Sequence, residues 1–200
     1  MKWAWAARGC RLHRAATGNN GRVTDQRGRV IVITGAMAAG KSTVAELLAH
    51  RLPRSVHIRG DMFRKMVING RADMTPQPTA AALAQLQLRY DLASHAADAY
   101  AAVGFDAIVQ DVIIGRDLAS FIGRIHTPDR YLVVLSPSVT ALEWREEQRV
   151  KAGYVHFSPG ALDNVLRSET ARIGYWLDSS AQTPEETVDD ILANLERARV

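Results

Sequence analysis

The feature that most constrains this chain is a run of four β-branched residues, Val30-Ile31-Val32-Ile33, followed by Gly35-Ala36-Met37-Ala38-Ala39-Gly40-Lys41-Ser42-Thr43. A helical stretch with Val44, Leu47 and Leu48 on one face comes next and stops at Pro53. A continuous β-branched run reads as a strand buried on both faces. Two glycines separated by four residues and followed by Lys and Ser form a phosphate-binding loop pattern. The glycines let the backbone wrap around phosphate oxygens, and the helix N-terminus presents partial positive charge. Lys41 is expected to reach the β- and γ-phosphates, and Ser42 to ligate Mg²⁺. Strand, loop and helix stand in the order such a site requires. At ordinary residue frequencies these four positions coincide in about one per cent or fewer of chains this size.

Further short strands are expected at Ser55 to Arg59, Asp106 to Gln110, Arg130 to Leu135 and around Tyr175 to Leu177. Between them the sequence predicts helices over Met62 to Val67, Thr79 to Val103, Asp117 to Ile125, Ala141 to Lys151 and Ala161 to Arg172. Thr183, Pro184 and Glu186 make a capping box for a final helix carrying Val188, Ile191, Leu192 and Leu195. Strands alternating with helices argue for an α/β fold with a parallel sheet covered on both faces, whose ligands bind beyond the carboxyl ends of the strands.

The chain has 200 residues, 25 Lys plus Arg and 21 Asp plus Glu. Its basic excess sits in one place. Lys2, Arg8, Arg11, Arg14, Arg22, Arg27 and Arg29 face only Asp25 in the first 29 residues, so residues 30 to 200 are slightly acidic. Residues 1–28 read as a loose basic tail and 29–200 as one domain of ordinary globular composition. That placement argues against nucleic acid as the partner. No apolar run approaches the roughly 20 residues of a membrane span. With Cys10 the single cysteine and no apolar leader, the expected location is cytoplasmic.

Given a phosphate loop, a carboxylate at a nearby strand end should hold the metal through water, and Asp111 stands there. Asp106, at the other end of the same strand, reads as a turn residue. Asp61 follows the Ser55–Arg59 strand with Arg64 one turn on, which suits a carboxylate activating an acceptor hydroxyl; the competing reading is a helix cap. Arg145 and Arg149 share a helix face, and Lys151 extends the cluster toward Gly153. They read as lid cations over a transferring phosphoryl group, a lid spanning about 141–157. Arg64 and Arg89 are acceptor-side candidates, although solvation of its Ala-rich helix accounts for Arg89 more simply. His57, His95, His126 and His156 show no metal-ligand spacing, and Trp144 and Trp176 read as packing residues. An Asn-Lys-x-Asp guanine signature is absent, so a kinase fits better than a GTPase.

The loop Gly35 to Thr43, the Gly60-Asp61-x-x-Arg64 element, Gln110-Asp111-Val112 and the Arg145/Arg149 segment together resemble the small P-loop kinases that include chloramphenicol phosphotransferase. Polynucleotide kinase and the zeta-toxin kinases are more distantly similar. The likeness spans residues 29 to 199. It implies a three-layer sandwich with a five-stranded parallel sheet and a helical lid, ATP with Mg²⁺, and transfer of the γ-phosphate to a hydroxyl of a small molecule such as an antibiotic or nucleoside-like metabolite. The resemblance makes Asp61 the hydroxyl-activating carboxylate, Lys41 and Ser42 the phosphate and metal residues, and Arg145 or Arg149 the lid arginine. Ile68 to Val103 lies outside it and is expected to shape the acceptor pocket. The alternatives are a nucleic-acid 5′-end kinase and a non-catalytic nucleotide-binding switch.

Overall fold

A computed structural model describes residues 27–148 and 157–200. Five strands form one sheet in the order β2-β3-β1-β4-β5: β1 (Val30–Gly35), β2 (Ser55–Arg59), β3 (Asp106–Gln110), β4 (Arg130–Leu135) and β5 (Tyr175–Leu177). Every pairing is parallel, as the alternation of strands and helices requires. The β-branched run makes the central strand because it is apolar on both faces. Val30 to Ile33 are fully buried, as are Leu132 to Leu135 of the neighbouring β4.

The helices are α1 (Lys41–Arg51), α2 (Gly60–Lys65), α3 (Ala80–Ala102), α4 (Asp117–Arg124), α5 (Val139–Glu147), α6 (Pro159–Glu169) and α7 (Pro184–Ala193). α1 and α3 pack on the same three strands but not on each other, so they cover opposite faces and complete a three-layer sandwich. α7 lies against α1, and α4 against α3. Small residues set the approach of the long α3: Ala93, Ala97 and Ala101 are buried at helical spacing and bring its backbone close to the sheet. Side-chain hydroxyls cap four helices, Thr79 for α3, Ser138 for α5, Ser158 for α6 and Thr183 for α7, the last in a full capping box with Glu186.

Two residues differ from expectation. Gly28, assigned to the tail by composition, is buried and donates its N–H to the Ala101 carbonyl at 2.8 Å. A Cβ there would lie 1.9 Å from the Phe105 carbonyl oxygen, so only glycine fits. Asp106 does more than turn the chain. Its Oδ1 accepts from the backbone N–H and Nε of Arg29 at 2.9 and 3.0 Å, and its Oδ2 from Nη2 at 2.6 Å, clamping the starts of β1 and β3 together.

The Arg29 bonds outweigh the effect of burial and hold the Asp106 carboxyl below the usual carboxylate range. A depressed folded-state pKa contributes stability above the unfolded value near 3.9 and loses it as pH falls through the folded value. Asp98, which accepts from the backbone of His126 and Thr127 despite its own burial, is lowered in the same direction. The domain should therefore lose melting temperature on acidification from about pH 5 to pH 2.5. Asp106→Asn should start lower at neutral pH and lose less over that range, as followed by calorimetry.

Candidate active site

The register of the sheet brings the sequence candidates to one edge. Ile33 of β1 pairs with Gln110 of β3, Gln110 with Arg59 of β2, and Gly35 with Leu135 of β4. The residues that follow those pairs, the loop from Gly35, Gly60-Asp61 and Asp111, thus emerge side by side at the carboxyl ends of the strands, where ligands of such sheets bind. Thr34 fixes the arrangement: its hydroxyl donates to the Ile113 carbonyl at 2.7 Å and accepts from the Ile113 N–H at 2.9 Å.

The loop runs from Gly35 through Ala36, Met37, Ala38 and Ala39 to Gly40, and Lys41, Ser42 and Thr43 open α1. Gly35 has φ +147, and a Cβ there would meet the Leu135 carbonyl oxygen at 2.4 Å. Gly40 caps α1 in the left-handed region with no side-chain hydrogen bond to the first turn. The cap residue therefore has no side chain to compete with a ligand for those N–H groups. Ala38 also has positive φ, 63°, a conformation L residues adopt reluctantly. Lys41 is buried inside the loop, its Nζ donating to the Ala36 carbonyl at 2.6 Å. Ser42 Oγ donates to Gln110 Oε1 at 3.2 Å. Gln110, the last residue of β3, is thus the side chain of that strand that faces Ser42.

Asp111 occupies a different environment from the one expected of a metal-site carboxylate. It is buried, and both oxygens are engaged: Oδ2 accepts from Arg89 Nε at 2.5 Å, while Oδ1 takes the Val112 N–H at 2.7 Å and a second guanidinium nitrogen of Arg89. Arg89 is correspondingly 7% exposed. Solvation of the Ala-rich helix, the simpler sequence account, does not describe it: α3 turns Arg89 inward onto the end of β3. A buried bidentate pair of this kind holds together because removing either partner strands a charge, at a cost of about 3–5 kcal/mol.

Gly60 lies directly against that pair. A Cβ on Gly60 would fall 2.0 Å from Asp111 Oδ2, so the turn into α2 exists only because residue 60 lacks a side chain. Gly60→Ala is expected to destabilise the domain by about 1–3 kcal/mol, since the carboxylate it strikes is held by Arg89 and cannot swing away. A denaturant midpoint unchanged by that substitution would contradict the packing.

Asp61 stands in the first turn of α2, whose cap residue is Arg59 and which has no side-chain cap bond. The competing capping role for Asp61 is therefore not what this geometry shows. Its carboxylate pairs with Lys65 at 2.5 Å, both side chains partly exposed. Arg64 pairs with Asp73 in the segment that leads to α3. Arg145 on α5 donates to the Ser179 carbonyl at 2.7 Å, tying that helix to the loop after β5. Arg149 and the 149–156 part of the expected lid lie outside the described residues, as does the tail 1–26. Trp144 is 62% exposed rather than packed.

A second guanidinium reaches the same edge. Arg167 on α6 is held by buried Asp163 at 2.7 Å and donates to the Pro137 carbonyl, just beyond β4, at 2.7 Å. Nearby, hydrogen bonds from Ser180 hold the Asp178 carboxyl below the usual range, with Arg167 and Arg145 adding to the effect. The available signal in the sequence was the Asp163/Arg167 spacing of one helical turn.

Residues 30–198 match the profile of a protein family described as an AAA domain, AAA_33. The chain belongs to this family. No curated protein matches this chain. Among solved structures it resembles a sugar kinase from Janibacter sp., with 19% identity, a TM-score of 0.62, and 86% of this chain and 96% of that one covered. It also resembles the Mycobacterium tuberculosis APS kinase CysC in complex with AMPPNP and APS, at 20% identity and TM-score 0.62, covering 85% of this chain and 98% of that one. A tunicamycin resistance protein from Deinococcus radiodurans matches at 20% identity and TM-score 0.58, covering 84% and 95%. These likenesses establish that this AAA_33 domain has the fold of small P-loop kinases, as its motifs implied. No described helix is long and apolar enough to cross a membrane.

Proposed function

We propose that this chain is an ATP-dependent phosphotransferase that moves the γ-phosphate of ATP to a hydroxyl of a small molecule such as an antibiotic or nucleoside-like metabolite, acting in the cytoplasm. The observation that carries the reading is the juxtaposition of an uncapped, glycine-flanked helix N-terminus holding buried Lys41 with a carboxylate, Asp61, at the same sheet edge. Several solved structures of this fold are described as kinases, one of them with the ATP analogue AMPPNP, which supports a nucleotide in the loop.

In the proposed reaction the loop amides from Ala36 to Thr43 and Lys41 hold the β- and γ-phosphates. The acceptor oxygen attacks the γ-phosphorus as the bond to the β-bridging oxygen breaks; ADP leaves, and the acceptor proton passes to the Asp61 carboxylate. Arg145 and Arg149 would move toward the equatorial oxygens as charge spreads over them. A Mg²⁺ held at Ser42 would supply positive charge against the phosphate oxygens. The Ser42 hydroxyl and the Gln110 amide oxygen, 3.2 Å apart, are hard neutral donors that fit such an ion alongside phosphate oxygens and water. Asp111, committed to Arg89, would act on this site by fixing the strand end. A screen of hydroxylated metabolites with ATP and Mg²⁺, read by ADP release, tests the proposal. Acceptor-dependent ADP is expected, and ATP binding with no acceptor consumed across the screen would leave a nucleotide switch as the better account.

A further inference from the structure

A cavity of about 450 Å³ opens between α2, α3 and α6, within the roughly 300–1,000 Å³ typical of small-molecule sites. It adjoins the proposed acceptor position: Arg89 in its wall bonds Asp111, Asp111 touches Gly60, and Gly60 precedes Asp61. Its lining is apolar, with Phe63, Met66, Val67, Met74, Leu86 and Leu88 among the walls. Met66 and Leu88 are 65% and 52% exposed, more apolar surface than a closed core would leave in water.

The polar groups in the wall are already engaged. Gln85 uses both ends of its amide to pin the preceding loop, accepting from the Ala72 N–H at 2.9 Å and donating to the Gly70 carbonyl at 2.8 Å. Tyr90 donates to the Val112 carbonyl, and Asp117 accepts from Gln87. The two guanidinium groups are each matched by a carboxylate, Arg64 by Asp73 and Arg89 by Asp111. An anionic ligand gains affinity from an arginine whose fork is open to it. At Arg89 it would have to displace Asp111 and leave a buried carboxylate unpaired, which is a net loss, and at Arg64 it would have to compete with Asp73 for a partly exposed guanidinium.

We infer that the acceptor of this enzyme is an uncharged molecule with a bulky apolar body, seated between α2 and α3 with its hydroxyl presented at Asp61, and not an anionic nucleotide, a sugar acid or a free sugar. This inference rests on the phosphotransferase reading for the hydroxyl's fate, but the pocket's preference can be measured without turnover. Binding of 2-(2-naphthyl)ethanol, gluconate and adenosine 5′-monophosphate to the full chain would be followed by calorimetry, with ADP release recorded in parallel at saturating ATP and Mg²⁺.

The aryl alcohol is expected to bind saturably, and Leu88→Asp and Met66→Asp to weaken it by about tenfold or more, because each puts a carboxylate against the apolar body. Both positions are exposed, so the variants should melt with the parent. No binding of the aryl alcohol, undiminished binding in both variants, or tighter binding of gluconate outside the nucleotide site would overturn the inference. Binding lost in both variants with no ADP released from any alcohol would uphold the apolar pocket and count against phosphotransfer. ADP release with gluconate alone would do the reverse.

Discussion

Asp61→Asn is expected to lower kcat by roughly 10² to 10⁴ while leaving ATP affinity within about twofold, the range a positioned general base contributes. Asn keeps the size and hydrogen-bonding reach of the side chain but cannot take a proton. The loss should therefore fall on the chemical step and not on folding or nucleotide binding. Asp61 is suited to this test because it is partly exposed at the start of α2 and its visible partner is Lys65, a long and mobile side chain that an incoming hydroxyl can displace. An exposed pair of this sort holds the carboxylate by no more than about 1 kcal/mol. Asp111→Asn offers the contrast: the same chemical change on a buried carboxylate locked to Arg89 should show first as lost stability. Equal turnover by the Asp61 variant and the parent would remove Asp61 from the reaction.

Lys41→Ala is expected to reduce transfer by about 10² to 10³ or more, with weakened ATP binding, since it deletes the cation proposed to hold the β- and γ-phosphates. The ammonium is buried within the loop and donates to the Ala36 carbonyl, so the same side chain also braces the loop's shape. Lys41→Arg separates the two contributions. It retains charge but cannot place a planar guanidinium where a compact ammonium fits, and it should recover little activity. Full rescue by Arg would mean that charge alone matters at this position and that the loop's fit around the ammonium does not.

The parts of this protein legible in the sequence are those where one local rule decides. Val30 to Ile33 announces a central strand because few other environments tolerate four β-branched residues in a row. The spacing from Gly35 to Ser42 specifies a backbone path, and the loop follows it. Thr183-Pro184-Glu185-Glu186 marks a helix start, and the structure contains the capping box it implies. Helix ends moved by a few residues, as at α2, which starts at Gly60 where the apolar pattern suggested Met62.

What stayed hidden depends on pairings across long stretches of chain. Nothing around Arg89 says that it is buried, because its partner Asp111 is 22 residues away and on another element. Gly60 looks like an ordinary turn residue until the carboxylate that forbids a Cβ is placed beside it. Gln110 reads as the polar end of a strand, and only the β1–β3 register brings it to Ser42. The proposed acceptor pocket was the least readable for the same reason. Its apolar walls come from α2, α3 and α6 and the loop between α2 and α3, so no single segment carries a pattern that names the pocket.

The central claim is that the loop around Lys41 and the carboxylate of Asp61 form one phosphotransfer site. The most direct measurement follows label from γ-labelled ATP into an alcohol, with the parent and Asp61→Asn compared at equal nucleotide occupancy. The account predicts a labelled phosphate ester from the parent and a yield at least a hundredfold lower from the variant. Label that stays in ATP or appears only as inorganic phosphate, with the parent saturated by nucleotide and alcohol, would contradict it.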